Sequence, residues 1–122
     1  MRSALLNHTG SLIQAGEATD LGYGHTDADW TTGTTTTEVR GTLQARTERE
    51  SATGAVISTH VWFMAYEDAP AALLVHGAEK TYRLTNVKHN GTVFDAGPFH
   101  IVEVQDAAGR FHHLELRLLR AG

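Results

Sequence analysis

The chain has 122 residues, 41% hydrophobic and 20% charged, with a formal net charge of -4 when its eight histidines are neutral. That balance fits one domain over residues 1-122 and is too apolar for a disordered chain. The absence of cysteine excludes a disulfide scaffold, thiol catalysis and cysteine-ligated zinc, and the acidic balance argues against a generally basic nucleic-acid binder.

No run of eighteen apolar residues suggests a membrane span. Met1 to Ile13 is interrupted by Asn7, His8 and Thr9 and does not read as a secretory leader. The expectation is a soluble domain made in a reducing compartment. From Met1 to Val39 the only base is Arg2, set against Glu17, Asp20, Asp27, Asp29 and Glu38. Gly16 to Asp29 reads as a long polar loop. Thr31 to Thr37 reads as an exposed strand lead-in or loop, because β-branched threonine disfavours helix.

The dominant period is two. Glu38 to Ala45 places Val39, Leu43 and Ala45 on one face. Arg46 to Gly54 follows as a polar hairpin loop with no apolar residue larger than alanine. Ala55 to Tyr66 is a strand with apolar residues on both faces, centred on Val61 and Trp62. Asp68 to His76 reads either as about two helical turns, with Asp68 as cap and Pro70 in the first turn, or as an extended connection. Gly77-Ala78 marks a turn. Lys80 to Lys88 alternates through Tyr82, Leu84 and Asn86, and Asn90-Gly91 suits a type I′ hairpin.

Phe99 to Val104 and Phe111 to Leu119 are the clearest strands, with Leu114, Leu116 and Leu118 sharing a face. A four-residue loop over Asp106 to Gly109 would set Val104 opposite Phe111, Ile101 opposite Leu114 and His100 opposite Glu115. The C-terminal part is mildly basic, with Arg110, Arg117 and Arg120 against Glu115. The expected architecture is mainly β: a small barrel or sandwich of antiparallel strands with long polar loops and at most one short helix. Its expected core is Val39, Leu43, Val61, Trp62, Tyr82, Leu84, Ile101, Leu114, Leu116 and Leu118.

Chemistry-bearing patterns are sparse. There is no His-x-His pair and no His-Glu-x-x-His pair. His112 and His113 point to opposite faces of a strand, while His100 and His113 could meet across the last hairpin. In the register above, Glu103 and Glu115 face opposite ways. Ser3, Ser11, Ser51 and Ser58 lack a strand-turn-helix elbow. Asn7-His8-Thr9 and Asn90-Gly91-Thr92 read as chance matches to a glycosylation acceptor. The expectation is no enzyme, no metal and no cofactor. The uneven charge is either solvated surface or the unlike patches of head-to-tail packing between identical subunits.

The order of features resembles the head-closure proteins of tailed phages, also called head-to-tail stoppers or head-tail connector proteins. It runs through Asp20-Leu21-Gly22-Tyr23-Gly24, Asp29-Trp30, Val39-Arg40-Gly41-Thr42-Leu43-Gln44, a polar loop carrying Glu50, the strand around Val61-Trp62, and the hairpin from Gly77 to Tyr82. It ends on Leu114 to Gly122. Leu21-Gly22 stands where related sequences often carry Asp-Arg or similar directly before Tyr-Gly, and Leu73 to His76 lacks the family's usual second Asp. The resemblance implies a small β-barrel in a closed ring of identical copies, about six or twelve in number. It implies a place in the virion neck after synthesis in the host cytoplasm, with portal or adaptor on the head side, tail terminator or tail proteins on the tail side, and packaged DNA held non-specifically in the lumen. By position, its channel loop maps to Arg46, Thr47, Glu48, Arg49, Glu50, Ser51, Thr53 and Gly54. The alternatives are a tail terminator or other tail-tube protein and, further off, a metal-binding or enzymatic barrel. A tail terminator would carry a clear helix packed on its sheet.

Overall fold

A computed structural model describes residues 7–20, 26–30, 33–75, 81–106 and 113–120, with side chains left undescribed at 17–20 and 26–29. Among the described residues nine strands follow one another: β1 (His8–Gln14), β2 (Gly16–Asp20), β3 (Thr26–Asp29), β4 (Thr35–Arg49), β5 (Val56–Ala65), β6 (Tyr82–His89), β7 (Thr92–Asp95), β8 (Phe99–Asp106) and β9 (His113–Arg120). Seven of them form one sheet in the order β1-β4-β5-β9-β8-β6-β7, and β1 also pairs with β6. That second pairing closes six strands into an antiparallel barrel. Closure removes the exposed edges that an open sheet of this size would carry.

β2 and β3 form a separate two-stranded sheet, where the sequence suggested one long loop. Their polar sequences, Gly-Glu-Ala-Thr-Asp and Thr-Asp-Ala-Asp, carry no large apolar residue for a pattern search to find. The connection after β5 is two short 3-10 turns, Tyr66–Asp68 and Ala71–Leu74, rather than an α-helix capped by Asp68. Pro70 stands just before the second turn, whose Leu73 reaches the core.

The core forms where the alternating residues of all six barrel strands converge. Leu12, Val39, Trp62, Met64, Tyr82, Leu84, Val87, Phe99, Ile101, Leu114, Leu116 and Leu118 are buried together. Its largest ring, Trp62, needs space that two small residues provide. A Cβ on Gly41 would collide with Trp62 Cε2 and Cζ2 and with the Phe63 carbonyl, and one on Gly10 would sit 2.8 Å from Leu84 Cδ1 and 3.3 Å from Trp62 Cη2. Small residues thus stand opposite the largest ring across facing strands and make room for it in the barrel.

Two expected core positions differ. Leu43 is only half-buried against the cluster. Val61 is buried but stands outside the cluster, because it points to the opposite face of β5 from Trp62. The expected alternation through Asn86 also breaks. Asn86 adopts φ 50°, its N–H donates to Ala96 O at 3.1 Å, and Val87 takes the inward position instead. Opposite this irregularity, β7 and β8 run beside β6 as one strand path interrupted at residues 96–98. That break lets the path leave β6 and pair with β9.

The expected register of the last hairpin is wrong. Ile101 faces Leu118, His100 faces Leu119 and, past a bulge, Val104 faces Leu116 and Asp106 faces Leu114. The turn is therefore longer than four residues; Asp106 closes β8, and the rest of that expected turn lies outside the described residues, as does Gly77-Ala78. The bulge also places Glu103 opposite Arg117, and hence on the same face as Glu115. The Asn90-Gly91 turn is as expected: His89 pairs with Thr92, and the two turn residues have φ 51° and 80°.

Candidate functional site: the projecting hairpin end of the barrel

Strand direction alternates around the barrel, so the β4–β5 and β6–β7 turns leave it at the same end. The β4–β5 ribbon is the longer. β1 pairs with β4 only as far as Gly41, and β4 continues to Arg49 with β5 as its partner. Arg46 to Arg49 are therefore strand residues rather than loop. The connection itself is 50–55. Threonine and arginine tolerate the extended backbone there, and the cross-strand ladder supplies the hydrogen bonds that a free loop would lack.

The tip is held by its own polar groups. Glu50 N–H donates to Ala55 O and Gly54 N–H to Glu50 O, each at 2.8 Å. Thr53 Oγ1 donates to Glu50 Oε2 at 3.2 Å and accepts from Ala55 N–H at 3.2 Å. Arg49 Nη1 donates to Gly54 O at 3.1 Å. Gly54 holds φ 71°, which suits glycine at the close of the turn. Ser51 and Thr47 are exposed.

The resemblance maps this charged segment to a channel loop. Within the chain, however, Glu48 pairs with Arg117 Nη1 at 2.9 Å, and that nitrogen lies 3.5 Å from Glu103. The Glu48–Arg117 pair reaches from β4 to β9 across the outer face of β5, the face that carries Val61. Arg46 lies over the Phe63 ring at 5.9 Å. Beside the tip, at the far end of the ladder, Val56 and Ile57 stay 39% and 40% exposed. The features left facing outward are thus apolar and hydroxyl-bearing as well as charged.

The second hairpin exposes Val93 and Phe94. His8 packs against it, with ring centroids 4.8 Å from Phe94 and 5.6 Å from His89. Leu43 N–H donates to His8 Nδ1 at 3.0 Å. Burial, and then the neighbouring His89, hold His8 below the usual imidazole value. Beside it, Arg120 grips Asp95 with both guanidinium arms at 3.1 and 2.7 Å. The Arg120 hydrogen bond is the main reason the Asp95 carboxyl lies below its ordinary range, with help from Gly97 N–H. His60 packs on Phe99, and burial followed by Arg120 pushes it down, opposed by Asp95.

No protein-family model, curated protein or solved structure matches this chain. The site therefore rests on its geometry. Of the ribbon residues named from the sequence, the structure brings all eight into one hairpin. It does not bring His100 and His113 together, because the register sets His100 against Leu119. The Asp95–Arg120 pair and the exposed Val56, Ile57, Val93 and Phe94 were not read from the sequence. Only the strand register and the direction of each turn gather them at one end. Of the resemblance-bearing residues, Trp30 stacks under Arg83 at 4.2 Å, while Leu21 to Gly24 lie outside the described residues.

Proposed function

We propose that this chain is a structural ring protein of a phage neck, a head-closure protein whose copies assemble around the DNA channel and present a tail-attachment surface. The observation that supports this reading best is the β4–β5 ribbon, which runs beyond the β1-paired part of the barrel and is closed by its own hydrogen bonds. A rigid barrel gives each copy a fixed frame, and an ordered ribbon can narrow a lumen by its bulk. Val56 and Ile57 would pack against the next copy beside the ribbon tip, while the tip charges, already engaged within the chain, leave a near-neutral surface that slides past phosphate rather than gripping it. The tail-terminator alternative is less well supported, since the described residues contain only 3-10 turns in place of a packed helix.

The ring and the plug are tested separately. Light scattering of the chain, alone and with portal-containing heads, should give a multimer or a stable head complex. A strictly monomeric chain without affinity for heads refutes the assignment. Replacing residues 50–55 with Asn-Gly keeps the Arg49–Val56 pair and shortens the ribbon. Heads carrying that variant should assemble and lose DNA. Full DNA retention would remove the plug role from this ribbon.

A further inference from the structure

β1 lies between β4 and β6, and its Thr9 is directly opposite Arg40 on one side and Lys88 on the other. Residues directly opposite one another point to the same face, so Arg40, Thr9 and Lys88 form a row across three strands. The two cations stand two strand spacings apart, about 9.5 Å at the backbone. At that spacing on the solvent side the two cations repel only weakly, and an anion between them would be attracted by both. Among the described residues neither Arg40 nor Lys88 has an ion pair.

This row borders a cavity of about 310 Å³ lined by Asn7, His8, Thr9, Arg40, Lys88, Asn90 and Gly91. No carboxylate lines it, which disfavours a cation as occupant. Donors do line it. Thr9 brings a hydroxyl. The β6–β7 ladder closes on His89 and Thr92, so the backbone N–H groups of Asn90 and Gly91 stand outside it. Asn90 Nδ2 lies 3.5 Å from His89 Nε2, a contact that uses one of its two N–H bonds and leaves the other free to turn to a ligand.

We propose that this cavity binds a phosphate group carried on a larger molecule. A tetrahedral anion has enough oxygens to take the Arg40 fork, the Lys88 ammonium and the Thr9 hydroxyl at once. The cavity has room beyond a bare anion, and its open side lets the rest of a phosphate ester extend outward. The site stands at the hairpin end of the barrel, beside the β6–β7 turn, and does not rest on the ring assignment. Its occupant is a phosphodiester of nucleic acid or a free phosphomonoester; both present the same chemistry to these residues.

Amide chemical shifts of the full chain would be followed during titration with inorganic phosphate, a nucleoside monophosphate, a short DNA duplex and, at matched ionic strength, acetate. Thr9, Asn90 and Gly91 should shift saturably with phosphate ligands, and Arg40→Gln with Lys88→Gln should weaken binding at least about tenfold. Lys88→Met alone, with melting behaviour checked, provides a second variant should the double one fail to fold. Tighter binding of the duplex identifies the diester as the source; tighter binding of the mononucleotide identifies the monoester. Absence of saturable shifts, equal shifts with acetate, or unchanged binding in the folded variants would overturn the site.

Discussion

Gly41→Ala tests the packing of the barrel most directly. The new Cβ would enter the space of the Trp62 indole and the Phe63 carbonyl. Trp62 is fully buried, and the carbonyl belongs to the β4–β5 ladder, so neither can swing away cheaply. Overpacking of a filled core costs about 1–3 kcal/mol, and a rigid ring plus backbone places this case near about 3. For a domain of this size each kcal/mol moves the melting temperature by roughly 3–5 °C, which gives a drop of about 10–15 °C. Gly10→Ala is the internal control. Its nearest contact is Leu84 Cδ1, the far end of a flexible side chain, and it should cost only about 1 kcal/mol. Urea and thermal unfolding of both variants measure the difference. Trp62→Phe in the Gly41→Ala background should recover part of the loss, and the double-mutant cycle should show coupling of about 1–2 kcal/mol. A Gly41→Ala protein melting within about 2 °C of the parent, or less stable Gly10→Ala protein, would refute the packing argument.

Arg117→Gln removes the partner of both Glu48 and Glu103; the side chains are about a third exposed, so stability should fall by about 1 kcal/mol, and less at high salt in denaturant titrations. Asp95 has a lowered native pKa, so its contribution is full above its unfolded value and is lost as pH falls through the native one; acid unfolding curves of Asp95→Asn should lack that acid-side loss. His60 is also lowered. The unfolded state takes up its proton first, so acidification from neutral pH through its unfolded value destabilises the native state, and His60→Gln should flatten stability against pH in that window. Asn86→Gly should leave stability within about 1 kcal/mol of the parent or raise it, since φ 50° is open to glycine, while Asn86→Val should lower the melting temperature.

The alternation of apolar residues in Val39–Leu43, Tyr82–Leu84 and Leu114–Leu118 determined a mainly β chain and most of its core, because a period of two can bury only a strand face. Asn90-Gly91 fixed its own turn, because the residues there must accept positive φ. Local signals ended there. The last hairpin's register depends on a bulge near Val102 and on a turn whose length its composition does not reveal, so Ile101 meets Leu118 instead of Leu114. The inward role of Val87 follows from an irregularity at Asn86 that only the β7–β8 crossing requires. Only tertiary structure closed β1 onto β6, and that closure set Arg40, Thr9 and Lys88 in one row from three distant parts of the chain. Side-chain period is a property of neighbours along the backbone, whereas register and closure minimise the free energy of the whole barrel, and the candidate sites depend on the latter.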